Sequence, residues 1–266
     1  MGVLIAFLLS LAAGLATSIG GILATHRRGV ERGFIAMSLA FAAGAMLFVS
    51  FIELLPMAVK SFTADSGGMM AAYGSFFVGI GLVMAIDRLV PKSINPAEIE
   101  GREGDMSRSE IKDNKLLMRS GILVGLVLAL HNFPEGMSTF FASVQSPSAG
   151  LSLVLAVAIH NIPEGIAVAA PVYAATKSRK KAFWWATISG LTEPLGALVG
   201  MGLISYVVPQ SMFGLMFGLT AGMMVFIAID ELVPAAKRYQ TQSHQSVYGM
   251  VAGMAVVAVS MILLQL

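Results

Sequence analysis

Cysteine is absent from the 266 residues, which excludes disulfides, thiolate ligands and iron–sulfur clusters. Charge is scarce: Asp, Glu, Lys and Arg make up 12% of the chain against 56% hydrophobic residues, a balance too apolar for a soluble domain of this length. There is no Walker A motif, so ATP is not the driver, and no HExxH pair of a zinc hydrolase. A net charge of +2 says little about partners, and no nucleic-acid partner or resident cofactor is expected.

What the chain does have is long apolar runs. Eight of them, near 3–25, 34–58, 68–90, 119–143, 149–173, 183–206, 212–235 and 246–265, are each long enough to cross a bilayer's hydrocarbon core. The expected fold is therefore all-α, a polytopic membrane protein whose largest partner is the lipid bilayer. The first run has no basic residue before it, so it is read as helix 1 and not as a cleaved leader. Every lysine and arginine except Lys60 falls in the loops after runs 1, 3, 5 and 7 or at the run ends beside them. By the positive-inside rule those loops are cytoplasmic and both termini are extracytoplasmic. The polar segment 92–118, rich in mixed charge with Pro, Gly and Ser, is the one linker, on the cytoplasmic side. Asp87 and Arg88, at the end of run 3, read as an interfacial pair.

Two of the runs contain ionisable groups where hydrocarbon should tolerate none. HNFPEG occupies 131–136 and HNIPEG 160–165. On a helix, positions i, i+1 and i+4 share a side, so His131, Asn132 and Glu135 point one way, as do His160, Asn161 and Glu164. Pro134 and Pro163 also free the carbonyls of Leu130 and Ile159. Imidazole, carboxylate and amide oxygen together suit a divalent first-row metal, zinc foremost, and two facing half-sites could hold one or two ions.

The chain also repeats itself. GLATSIGGIL at 14–23 matches GLTEPLGALV at 190–199, FIELLP at 51–56 matches IDELVP at 229–234, and Tyr73-Gly74 matches Tyr248-Gly249, with offsets of about 176 residues. Helices 1–3 and 6–8 are thus related. The members of each pair stand five places apart in helix order, an odd number of crossings, so the copies run in opposite directions and enclose helices 4 and 5, a 3+2+3 arrangement with the inverted repeats of a secondary transporter. The single domain divides into repeat one at 1–91, the loop 92–118, the central helices 119–173 and repeat two at 183–266. Glu193 stands where repeat one has Thr17 and adds a third acid to the centre, about ten residues inside its run. Glu53 near the outer end of helix 2, and Asp230 with Glu231 near the inner end of helix 7, are read as stations on a cation path; solvated or capping roles at the interface compete with that reading, most evenly for Asp230. Of 18 methionines most serve packing, and Met46, a turn or two from Glu53, is the one read as a weak ligand. His26 and His244 fall in loops and read as surface residues.

The paired hexapeptides, EPLG of helix 6, the FIELLP and IDELVP helix ends and GIAVAAPVYAATKSRKKA after the second motif resemble the ZIP family of divalent-metal transporters, in its GufA-like branch, over essentially the whole chain. The resemblance implies eight helices, extracytoplasmic termini in a bacterial inner membrane, and a two-metal site. By position, His131, His160 and Glu164 are similar to one ion's ligands and Asn132, Asn161 and Glu193 to the other's, with Glu135 and Glu164 placed to bridge. Met46 matches a helix 2 position that touches metal in some relatives. Many eukaryotic members have a histidine-rich loop between helices 3 and 4, and 92–118 has no histidine. Relatives often carry histidine where Glu53 and Asp230 stand, a shift toward oxygen ligands that suits iron or manganese.

The function expected is import of Zn²⁺ as substrate, with Fe²⁺, Mn²⁺, Co²⁺ and Cd²⁺ as secondary ones. An intramembrane metal-dependent hydrolase and a cation channel are the alternatives, and a homodimer is one option for the assembly.

Overall fold

The structure is a computed structural model that describes residues 2–26, 31–62, 66–89, 114–204 and 209–265. The linker expected at 92–118 lies outside the described residues up to 113, as do Arg27, Arg28 and the side chain of Asp87.

The regular elements among the described residues are all helical: α1 Val3–Ala24, α2 Arg32–Val49, α3 Leu55–Ser61, α4 Ser66–Leu89, α5 Asn114–Gln145, α6 Pro147–Thr176, α7 Arg179–Gly190, α8 Thr192–Ile204, α9 Gln210–Ile227, α10 Val233–Tyr239 and α11 Gln245–Gln265. Backbone in hydrocarbon must satisfy its own polar groups, and a helix does so locally. Among the described residues, six helical stretches are long and apolar enough to cross a membrane: Val3–Ala24, Arg32–Ser61, Gly67–Ile86, Gly150–Thr176, Ser211–Tyr239 and Gln245–Leu263. The chain is a multi-pass membrane protein whose regular structure, among the described residues, is helical.

The run expected as one helix over 183–206 is instead two, α7 and α8, of 12 and 13 residues, joined at Leu191. Each is about 20 Å long, short of the ~30 Å hydrocarbon core. The cause is local: Pro194 has no N–H for the Gly190 carbonyl, and glycine is a poor helix former. That carbonyl lies against Gly14 of α1.

A second departure sits in the long rods. Between α2 and α3, Ser50–Leu54 forms a π turn, and between α9 and α10, Ala228–Leu232 forms another. The N–H of Leu55 reaches back five residues to Ser50, and that of Val233 to Ala228. Pro56 and Pro234 follow at once and deny Ile52 and Asp230 their ordinary partners, so the ladder loses register there.

The packing occurs twice over. α1 packs most heavily on α6 and α8 on α5; α2 packs on α11 and α9 on α4. Small residues let backbones touch, and the touching points match under the same exchange. Gly20 abuts the Ile162 carbonyl and Gly196 the Phe133 carbonyl; Gly165 abuts Thr17 and Gly136 abuts Glu193. Gly44 meets Met250 where Gly222 meets Phe76, and Gly253 meets Phe41 where Gly79 meets Leu219. Each contact recurs with α1–α4 traded for α7–α11 and α5 for α6.

Candidate metal centre

The pair α5 and α6 brings the two hexapeptides face to face. Both helices run through their prolines unbroken, Pro134 in α5, and Pro163 and Pro171 in α6. Their facing sides are joined by crossed contacts: His131 Nε2 lies 3.3 Å from Glu164 Oε1, and His160 Nε2 lies 2.9 Å from Glu135 Oε1. His131 and Glu135 are 2% exposed and His160 and Glu164 0%, so these are interior groups of a membrane protein, a costly place for ionisable side chains.

The two asparagines tie the centre to the outer repeats. Asn161 Nδ2 donates to the Ala13 carbonyl of α1 at 2.9 Å, and Asn132 Nδ2 donates to the Ser189 carbonyl of α7 at 3.4 Å, again the same bond exchanged. Here the halves part. Asn161 Nδ2 also donates to Glu193 Oε1, whereas the position equivalent to Glu193 is Thr17. Glu193 lies deep in its apolar run, yet it is not remote from a helix end: the break at Leu191 puts it in the first turn of α8, where the helix dipole favours a carboxylate. The sequence, read as one continuous run, sets Glu193 about ten residues from any helix end; the break is what brings a helix start to it.

Six side-chain oxygens among the described residues are buried with no hydrogen-bond partner: Thr17 Oγ1, Asn132 Oδ1, Glu135 Oε2, Asn161 Oδ1, Glu164 Oε2 and Glu193 Oε2. Five belong to the hexapeptides and Glu193. Each such atom costs about 1–3 kcal/mol against a satisfied one, so the cluster weakens the fold that contains it. As they stand, no three His, Asp or Glu side chains among the described residues form a group that could hold an ion; His131 is hydrogen-bonded to Glu164 and His160 to Glu135.

The other expected stations sit elsewhere. Met46 is fully buried in α2, which packs against α6, and its equivalent Met224 is fully buried in α9. Glu53 is half-buried in one π turn, and Asp230 and Glu231 are half-buried in the other. They stand inside their rods, since α3 and α10 each continue for seven residues beyond. His26 and His244 are exposed, as expected. Sequence reasoning missed the π turns, although an acid three residues before proline, ELLP and ELVP, marks both. It also gave no place to the buried hydroxyl of Thr17.

Imidazole, amide and carboxylate gathered in the interior of a multi-pass helical protein define a membrane protein with a polar, ionisable centre. The chain belongs to the ZIP family: residues 91–261 match the family described as ZIP zinc transporter. It is 49% identical to the zinc transporter ZupT of Corynebacterium glutamicum over 98% of this chain and 99% of that one. It is 48% identical to ZupT of Corynebacterium aurimucosum, covering 97% and 96%, and 42% identical to ZupT of Clostridium perfringens, covering 98% and 96%.

Proposed function

We propose that this chain imports divalent metal ions, chiefly Zn²⁺, into the cytoplasm through the centre formed by His131, Asn132, Glu135, His160, Asn161, Glu164 and Glu193. The observation that carries the reading is the crossed pair of His–Glu contacts, each with a carboxylate oxygen left unpartnered in the interior. Two tetrahedral ligands at ~2.05 Å from zinc stand about 3.3 Å apart. His131 Nε2 and Glu164 Oε1 already have that separation, and His160 and Glu135 need open by only about 0.4 Å. An arriving ion takes the place of the two hydrogen bonds and gathers the unpartnered oxygens, which make up for the water it sheds. Glu193, held by Asn161, offers a third carboxylate one step along. Similarity to the ZupT zinc transporters supports zinc as the substrate and a transporter's role over a hydrolase's.

In this reading eight helices cross the membrane in a 3+2+3 order, with α7 and α8 together making the sixth, α2–α3 the second and α9–α10 the seventh. Repeat one (1–91) and repeat two (183–266) are inverted copies around 119–173, and 92–118 is a cytoplasmic loop. The doubled packing supports the inversion. Movement of one repeat against the other would open the centre alternately to each side. Glu53, Met46, Asp230 and Glu231 serve as stations before and after it.

The absence of native cysteine makes the topology testable without background. Gln265→Cys should react with a membrane-impermeant maleimide on intact cells, and Lys180→Cys only after permeabilisation. Labelling of Lys180→Cys in intact cells would contradict the orientation.

Function is tested by zinc uptake in cells deprived of their own zinc importers. Uptake should saturate with zinc concentration and fall as external pH falls, because protons compete for the imidazole and carboxylate atoms that bind the ion. Uptake that is linear in zinc concentration would point to a channel instead.

A further inference from the structure

Thr17, on α1, is fully buried, and among the described residues it is the one buried hydroxyl with no hydrogen-bond partner. A threonine inside a helix ordinarily donates to the carbonyl four residues back. Thr139, Thr176 and Thr187 do so here. The carbonyl available to Thr17 in this way is that of Ala13, and Asn161 Nδ2 occupies it.

The surroundings of Thr17 place it at the centre. Its carbonyl abuts Gly165, next to Glu164, as the Glu193 carbonyl abuts Gly136, next to Glu135. Its hydroxyl lies against Gly190; a Cβ on that glycine would come within 2.6 Å of Oγ1. The preceding residue, Ser189, is the one whose carbonyl holds Asn132. Under the exchange that relates the two halves, Thr17 and Asn132 take the places of Glu193 and Asn161. In the Glu193 half Asn161 Nδ2 donates to the carboxylate, and Asn161 Oδ1 and Glu193 Oε2 are unpartnered; in the Thr17 half Thr17 Oγ1 makes no hydrogen bond at all and Asn132 Oδ1 is likewise unpartnered.

We propose that Thr17 is a further affinity- and specificity-determining residue of the metal centre, its buried hydroxyl supplying with Asn132 Oδ1 the neutral oxygens of the half that lacks a Glu193. The inference rests on the transport reading given above. A neutral pair on one side and a carboxylate on the other makes the centre electrostatically lopsided. The dehydrated ion is held more strongly on the Glu193 side and passes the Thr17 side without being trapped, which suits a substrate that must leave as well as bind.

The test is zinc flux into proteoliposomes for wild type, Thr17→Val, Thr17→Ala and Thr17→Ser, with KM and maximal rate measured separately. Valine keeps the shape and removes the hydroxyl; alanine removes it without the β-branch, should valine fold poorly; serine restores it. The expected result is a KM raised about fivefold in both hydroxyl-free variants, with maximal rate within about twofold of wild type, and a KM restored to within about twofold in Thr17→Ser. Unchanged KM in Thr17→Val or Thr17→Ala overturns the proposal. So does a Thr17→Ser variant as impaired as Thr17→Val, which would assign the effect to the methyl group's packing. Absence of saturable flux in wild type would instead sink the transport reading beneath it.

Discussion

Glu164→Gln should abolish saturable zinc uptake while leaving the protein at least as stable as wild type. Glu164 is fully buried, its Oε1 faces His131 at 3.3 Å and its Oε2 has no partner. Glutamine keeps the volume but removes the charge and replaces one acceptor with a donor. Truncating a buried charge from its partner costs about 2–5 kcal/mol of binding, so affinity should fall by about thirtyfold or more. Stability moves the other way, because an interior carboxylate lacking a partner on one oxygen is a burden to the folded state. Uptake kinetics paired with a thermal melt of purified protein separate the two effects. A variant that transports normally would remove Glu164 from the centre; one that merely unfolds would make it a structural residue.

The second large effect is steric. Gly136→Val should disrupt both the fold and transport, because a Cβ at Gly136 would come within 2.6 Å of Glu193 Cα, where α8 crosses α5 with backbone against backbone. Neither backbone can yield as a side chain tip can. Separating the helices draws Glu193 away from the hexapeptides, and overpacking costs about 3 kcal/mol besides. The control is Gly81→Val on α4, where nothing lies within 4 Å of the added Cβ. A melt and an uptake assay should place Gly81→Val close to wild type and Gly136→Val far below it. Wild-type behaviour of Gly136→Val would mean that α5 and α8 do not approach as closely as described.

Both effects depend on features of unequal legibility. Most helix positions were readable from hydrophobic runs alone: the expected 3–25 became Val3–Ala24 and 246–265 became Gln245–Gln265, since interrupting a helix in hydrocarbon strands backbone polar groups. That imidazole and carboxylate share one side of each hexapeptide helix was readable as well, because positions i and i+4 stack, and the two sides do meet in the structure. The break at Leu191 was foreshadowed by Pro194 but not foretold, since Pro134 and Pro163 are carried inside unbroken helices. What differs is the glycine four residues before Pro194, whose carbonyl finds its neighbour on α1. The crossed pairing of His131 with Glu164 and His160 with Glu135 was beyond sequence reading too. Spacing says which residues share one helix face, but not which residue of the other helix each will meet. Thr17 stayed hidden for a related reason: a threonine in an apolar helix is ordinary until the carbonyl it would use is found already occupied.

The most direct measurement is zinc flux into proteoliposomes containing purified wild-type protein beside Glu164→Gln, without ATP and with internal pH recorded. Saturable flux in wild type and none in the variant is the expected result, and the pH trace would report any proton movement. Flux of equal size in both, or none in a wild type that nonetheless binds zinc tightly, would contradict import through the His–Glu centre.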